Sequence, residues 1–155
     1  MKIFVAIPVY DGKLQVQTVR CLLEETTIAN GLGDELRVNF LPSCAVPAHG
    51  RNQLVQLFLE SDCDRLFFLD ADVICPPNVV MDLLANGRDL IGGLYYRRSP
   101  PYEPAPSVAV RNEAGQLLGH RPPSFNHGDV IPVEFLPMGA TLISRRCMET
   151  VLASH

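Results

Sequence analysis

Apolar residues follow two alternating rhythms along this chain: short unbroken runs, and stretches in which they recur every three or four positions. Residues 2–7 form one apolar run, halted by Pro8, and Arg65-Leu66-Phe67-Phe68-Leu69 forms another. Runs this short and continuous predict strands buried on both faces, as in sheets covered by helices. Residues 37–41, 90–94 and 140–144 predict three more strands. Between them, Leu14, Val19, Leu22 and Leu23 recur at helical spacing over 13–29. Leu54, Val55, Leu57 and Phe58 mark the apolar side of a helix over 51–61. Pro76-Pro77 opens a helix that reaches Leu84, since proline is preorganised for a first turn, and a last helix starts at Arg145 and covers 145–152. Asn30-Gly31, Gly33 and Asn86-Gly87 supply the stops. Strands alternating with helices predict an α/β fold with a mainly parallel sheet flanked by helices, its crossovers right-handed.

The rhythm changes after Tyr96. Residues 99–106 include four prolines, which excludes regular helix or central strand there. Segments 107–111 and 116–119 flank Asn112-Glu113-Ala114-Gly115 and predict a hairpin, and 130–136 predicts a further strand. With no internal repeat, low-complexity tract or interdomain linker, residues 1–155 read as a single domain.

A chain of 155 residues buries a substantial core, and 47% hydrophobic with 19% charged residues is the balance of a soluble globular protein. The net charge of −4 gives no broad electrostatic case for nucleic acid or an anionic membrane, so an anionic ligand needs local cations. No apolar run approaches transmembrane length. The opening Met1-Lys2-Ile3-Phe4-Val5-Ala6-Ile7 is cut short by Pro8 and Asp11 and reads as a strand rather than a signal peptide. Five cysteines (Cys21, Cys44, Cys63, Cys75 and Cys147), without a C-x-x-C pair, argue against a disulfide framework or zinc site and suit a reducing cytoplasm. Cys44, in a loop, is the one expected to be accessible.

Chemistry concentrates at Asp70-Ala71-Asp72, where the 65–69 strand ends. Ligands of open α/β sheets gather at the carboxyl ends of strands. Two carboxylates there, one residue apart, form a compact acceptor for a hard cation, Mn²⁺ or Mg²⁺. The plainer alternative is that the acids end the strand and cap the next helix.

Ile7-Pro8-Val9-Tyr10, His49-Gly50-Arg51-Asn52 and Asp70-Ala71-Asp72 follow one another in an order that resembles the nucleotide-sugar-binding half of GT-A glycosyltransferases, in particular family-2-like enzymes. Ile91-Gly92-Gly93-Leu94-Tyr95 and the run from Met138-Gly139-Ala140 to Arg145-Arg146 extend the resemblance over nearly the whole chain. It implies a GT-A, Rossmann-like sheet, with a donor-binding half at 1–96. The remainder, 97–155, would hold a proline-rich loop, a hairpin and part of an acceptor side.

The implied activity is metal-dependent transfer of a sugar from a UDP- or GDP-linked donor to a hydroxyl acceptor. Pro8, Val9, Tyr10 and Asp11 would line the nucleoside pocket, with Tyr10 either stacking on the base or simply packing. Arg51 would approach the diphosphate and Asn52 would supply hydrogen bonds, unless Arg51 is only a solvated helix-start residue. His49 would shape the same loop or serve structurally. Asp70 would face the ribose or metal shell and Asp72 would ligate the metal.

An inverting enzyme needs a general base, for which the resemblance offers Asp129 and Glu134; each also reads as an ordinary surface or strand-end acid. Arg97 and Arg98 would gather phosphates or belong to a solvated loop, and Gly139 would permit close backbone approach or simply turn the chain. Family members are longer, and a later histidine often completes their metal site. Here His120 and His127 come before the matching region and His155 is terminal, so the resemblance implies a short or truncated acceptor side. Two other readings stand beside it: a nucleotide-sugar-binding or assembly module without complete catalytic machinery, and a nucleotidyltransferase. Only Gly12 and Lys13 speak for the phosphate loop that the last requires. An exposed sheet edge would favour homo-oligomers.

Overall fold

The computed structural model describes residues 1–42, 46–96, 100–121, 123–126 and 128–154; Cys44, Arg97, Arg98, His127 and His155 lie outside them. In chain order the elements are β1 (Lys2–Pro8), α1 (Val16–Gly31), β2 (Glu35–Leu41), α2 (Pro47–Glu60), β3 (Arg65–Leu69), α3 (Val79–Ala85), β4 (Leu90–Gly92), β5 (Val108–Arg111), β6 (Leu117–Arg121), β7 (Ala140–Ser144) and α4 (Arg145–Ala153). The chain divides into two compact units, one of residues 1–93 with 138–155 and one of residues 94–137.

The first unit is built on a five-stranded sheet in the order β2-β1-β3-β7-β4. β1 pairs in parallel with both β2 and β3, whereas β7 pairs antiparallel with both β3 and β4. The sheet is therefore mixed, which corrects the expectation of a mainly parallel one. A continuous apolar run reports burial on both faces and carries no information on strand direction. β7 shows this plainly, since all five of its residues are buried and yet it runs against its neighbours.

The interiors of β1 and β3 are almost completely buried. Phe4, Ala6, Leu66 and Phe68 meet Leu54 and Phe58 of α2 and Ile143 of β7 in one core cluster. The Phe4 and Phe58 rings cross edge to face with centroids 6.0 Å apart. Each of the phenylalanine, leucine and isoleucine side chains contributes roughly 1.5–3 kcal/mol by leaving water.

Arg145, the first residue of α4, clasps the end of α2. Its guanidinium donates to the carbonyl oxygens of Phe58 (2.9 Å), Leu59 (3.3 Å), Ser61 (2.8 Å) and Cys63 (2.8 Å). It also lies over the Phe58 ring, 4.5 Å from the centroid. The last carbonyls of a helix lack partners within it, so a cation there is doubly suited.

Three helix starts differ from expectation. α1 begins at Val16 instead of 13, because Gln15 is still extended (φ −70°, ψ 141°). α2 begins at Pro47 instead of 51, because Pro47 occupies the first turn, where its missing N–H costs nothing. α3 begins at Val79 and not at Pro76-Pro77, because Asn78 takes a left-handed conformation (φ 71°) that no continuing helix accommodates.

In the second unit β5 and β6 form the expected hairpin. Asn112 N donates to Gln116 O at 3.0 Å across the turn, and Gly115 there has φ +79°. The strand expected at 130–136 is absent among the described residues; Ser107 and Phe135 instead exchange two backbone hydrogen bonds as an isolated bridge. Pro132 and Pro137 interrupt the donors that a longer ladder needs.

Candidate functional site

The strand register brings the predicted motifs to one edge of the first unit. Ala6 lies opposite Phe68, so Pro8 at the end of β1 lies level with Asp70, one residue past β3. Pro8 is also opposite Leu41, the last residue of β2. Because β7 is antiparallel, its beginning falls at the same edge: Leu69 is opposite Ala140, and Asp70 N donates to Gly139 O at 2.9 Å. Gly139 thus serves the site through its backbone carbonyl.

Residues 70–73 make a tight turn in which Val73 N donates to Asp70 O at 3.0 Å. The turn is held from α1 as well, by Thr18 Oγ1, whose hydroxyl is 3.3 Å from both Ala71 O and Val73 O. The alternative in which the two acids cap the next helix does not describe the structure. α3 starts only at Val79, with Asn78 in the capping position.

Arg51 reaches this edge from α2. Its Nη2 donates to Asp70 Oδ1 at 2.6 Å, with the two side chains 25% and 31% exposed. The remaining donors of the fork are not exhausted by Asp70: Arg51 Nε is buried without a hydrogen-bond partner. On α2, Gly50, Leu54 and Phe58 form the buried stripe, which places Arg51 beside it and leaves Asn52 exposed. His49 is exposed too, its Nε2 3.1 Å from Gln53 Nε2 one turn on.

The segment after β1 is anchored by Val9 N, which donates to Leu41 O at 2.9 Å. Val9 is buried, whereas the Tyr10 side chain is 72% exposed and so does not pack in the core. Asp11 is engaged locally, accepting from Lys13 N at 3.1 Å around Gly12, which has φ +73°. Asp72 is exposed at the tip of the acid pair.

Pro8, Arg51, Asp70, Ala71 and Asp72 are therefore brought together at the carboxyl ends of β1 and β3. The two base candidates belong to the second unit, and each accepts backbone N–H groups there. Asp129 Oδ2 takes Asn126 N at 2.7 Å, and Glu134 Oε2 takes Ala109 N at 2.7 Å. His120 in the same unit stacks edge to face with Phe135, centroids 6.3 Å apart.

Among the described residues, no group of three or more His, Cys, Asp or Glu side chains is placed to hold a metal ion. A pair of carboxylates fits a cation of the Mg²⁺ or Mn²⁺ class only when phosphate oxygens and water complete the shell, which is how such ions usually bind nucleotides. No helix among the described residues is long and apolar enough to cross a membrane.

Thr18 and Glu25 were not legible as site-supporting residues from hydropathy. Both are buried on α1, at 0% and 1% exposure, and both bond to the segment that follows Asp70. The spacing 18-21-25-29 holds the signal, since it defines a helix face once polar residues are admitted to it. No family model matches the chain, and no curated protein sequence matches it.

Proposed function

We propose that the edge formed by Pro8, Arg51 and residues 70–72 binds a nucleotide-diphosphate sugar, and that the protein is a GT-A-like, metal-dependent glycosyltransferase acting on a hydroxyl acceptor. The observation that carries this reading is the Arg51–Asp70 pair beside Asp72 at the carboxyl end of a buried strand. It combines a phosphate-binding guanidinium with two carboxylates suited to a hard cation.

In this reading Asp70 orients Arg51 toward the diphosphate, and the hydrogen bonds from Asp70 N to Gly139 O and from the Thr18 hydroxyl fix the turn that carries both acids. Tyr10 offers an exposed ring for the base, with Val9 and Asp11 beside it and Asn52 as a hydrogen-bonding neighbour of Arg51. Asp70 and Asp72 would hold the Mn²⁺ or Mg²⁺ ion, which when bound neutralises charge on the departing nucleoside diphosphate. The two candidates for the general base that transfer requires, Asp129 and Glu134, belong to the second unit. Both already accept backbone hydrogen bonds, and that favours the second reading, a nucleotide-sugar-binding module without turnover.

Titration calorimetry with UDP- and GDP-sugars, with and without Mn²⁺, tests the proposal. Metal-dependent binding that disappears in Asp72→Ala is expected, and binding unchanged in that variant overturns the site assignment. Release of nucleoside diphosphate separates the two readings: binding with no release, whatever acceptor is offered, selects the binding module.

A further inference from the structure

One face of α1 lies along the segment from residue 71 to residue 80 and is tied to it at both ends. Near the start, Thr18 bonds to Ala71 O and Val73 O; further on, Val80 N donates to Glu25 Oε2 at 3.3 Å. Cys21 is one turn from Thr18 and one turn from Glu25, and Cys75 lies between Val73 and Val80. The two anchors therefore set Cys21 and Cys75 on facing stretches of chain, and the two thiols perturb each other's proton loss. Both cysteines are free; Cys21 is 4% exposed, whereas Cys75 is only partly buried.

The surroundings separate this pair from an inert core contact. Their interaction lowers the first proton loss, at Cys21, while the same interaction and burial hold the Cys75 proton up. One negative charge is thus shared across the pair, and thiolate is the reactive form of cysteine. Beside them Glu25 Oε1 is buried without a partner, so the seam between α1 and residues 71–80 is not fully satisfied in the reduced state.

We propose that Cys21 and Cys75 form a reversible disulfide in response to peroxide, locking α1 to the segment that directly follows Asp72. The Cys75 proton first passes to the Cys21 thiolate across the contact between them, and the thiolate so formed on Cys75, the more exposed sulfur, attacks hydrogen peroxide. An S–O bond forms, the O–O bond breaks, and the departing hydroxide takes a proton to become water. The Cys21 thiolate then attacks the Cys75 sulfenic acid. The S–S bond forms, the S–O bond breaks, and a second hydroxide leaves and is protonated to water. Two thiols and one peroxide give one disulfide and two waters, and a dithiol reductant reverses the change. The inference does not depend on what the 70–72 edge binds.

Non-reducing peptide mapping of the full-length reduced protein, before and after treatment with hydrogen peroxide, tests it. A peptide linking Cys21 to Cys75, lighter by two hydrogens and abolished by dithiothreitol, is expected. Cleavage within residues 71–80 by a limiting protease should slow at least fivefold in the oxidised protein. In Cys21→Ser the resolving thiol is gone, so dimedone should label Cys75 as a trapped sulfenic acid. Peroxide that leaves both thiols intact, or joins either to a different cysteine, overturns the proposal. So does a linked form cleaved as fast as the reduced one. A folded Cys21→Ser protein with no dimedone adduct on Cys75 rejects the stated order of attack.

Discussion

Arg145 offers the clearest test of how the first unit is held together. Four carbonyl oxygens from the end of α2 and the turn before β3 converge on one guanidinium, at 2.8–3.3 Å. A hydrogen bond to a charged group contributes about 1.5–3 kcal/mol when deleted singly. The four share one side chain, and water can replace part of what is lost, so a simple sum overcounts. The face of Phe58 adds about 0.5–1 kcal/mol of cation–π attraction. Replacement by methionine keeps the aliphatic stem and removes the fork, and Arg145→Met should cost about 3–4 kcal/mol. Arg145→Lys keeps the charge at the helix end but not the planar set of donors, so about half of the loss should persist. Equilibrium urea unfolding of the three proteins measures both differences, and added salt should change them little because the four carbonyl acceptors are neutral and the Glu149 carboxylate, 3.7 Å from the guanidinium, is an exposed partner of small weight. A methionine variant within about 0.5 kcal/mol of the parent, inside the range of an ordinary surface substitution, refutes the reasoning. A lysine variant equal to the parent would show that charge alone is at work.

Two further outcomes follow from buried polar groups in the same unit. Burial raises the Glu25 carboxyl above its ordinary value, so the folded chain holds that proton to higher pH than the unfolded chain does. Glu25 therefore costs nothing at pH values below the unfolded pKa of about 4.3, and costs progressively more as pH rises from there through the folded value. Glu25→Gln should gain stability over the parent as pH rises across that range, read as diverging urea midpoints; parallel midpoints would contradict it. Ser144 caps α4, its Oγ accepting from Cys147 N at 3.0 Å and donating to Asp89 Oδ1 at 2.7 Å. Ser144→Ala should lower the unfolding free energy by about 1–2 kcal/mol, and a variant as stable as the parent would deny the cap its role.

The strands of the five-stranded sheet were the legible part of the chain. Arg65–Leu69 and Ala140–Ser144 fall where their apolar runs lie, because both are buried on both faces and leave no polar position to blur the pattern. Helix faces were harder to read. Val19 and Leu23 of α1 are 40% and 66% exposed, while Thr18 and Glu25 are buried. Leu22 is buried as its spacing implies, but hydropathy misses the polar part of the stripe because α1 packs along irregular backbone at 71–80, whose carbonyl and N–H groups require polar partners. The acid pair at 70 and 72 could be placed from its strand. Its partnership with Arg51 spans 19 residues and arises only when α2 packs beside β3, which no local pattern encodes.

The place of β7 also sets an order of events as the chain is made. β3 is complete at residue 69, but the strand that lies between it and β4 is not finished until residue 144. Until then the flanks of β3 and β4 that β7 will cover present unpaired backbone groups, the templates on which nascent chains associate. Closing the sheet must wait for contacts about 75 residues apart, so the slow step in refolding should be the arrival of β7 rather than the growth of any helix.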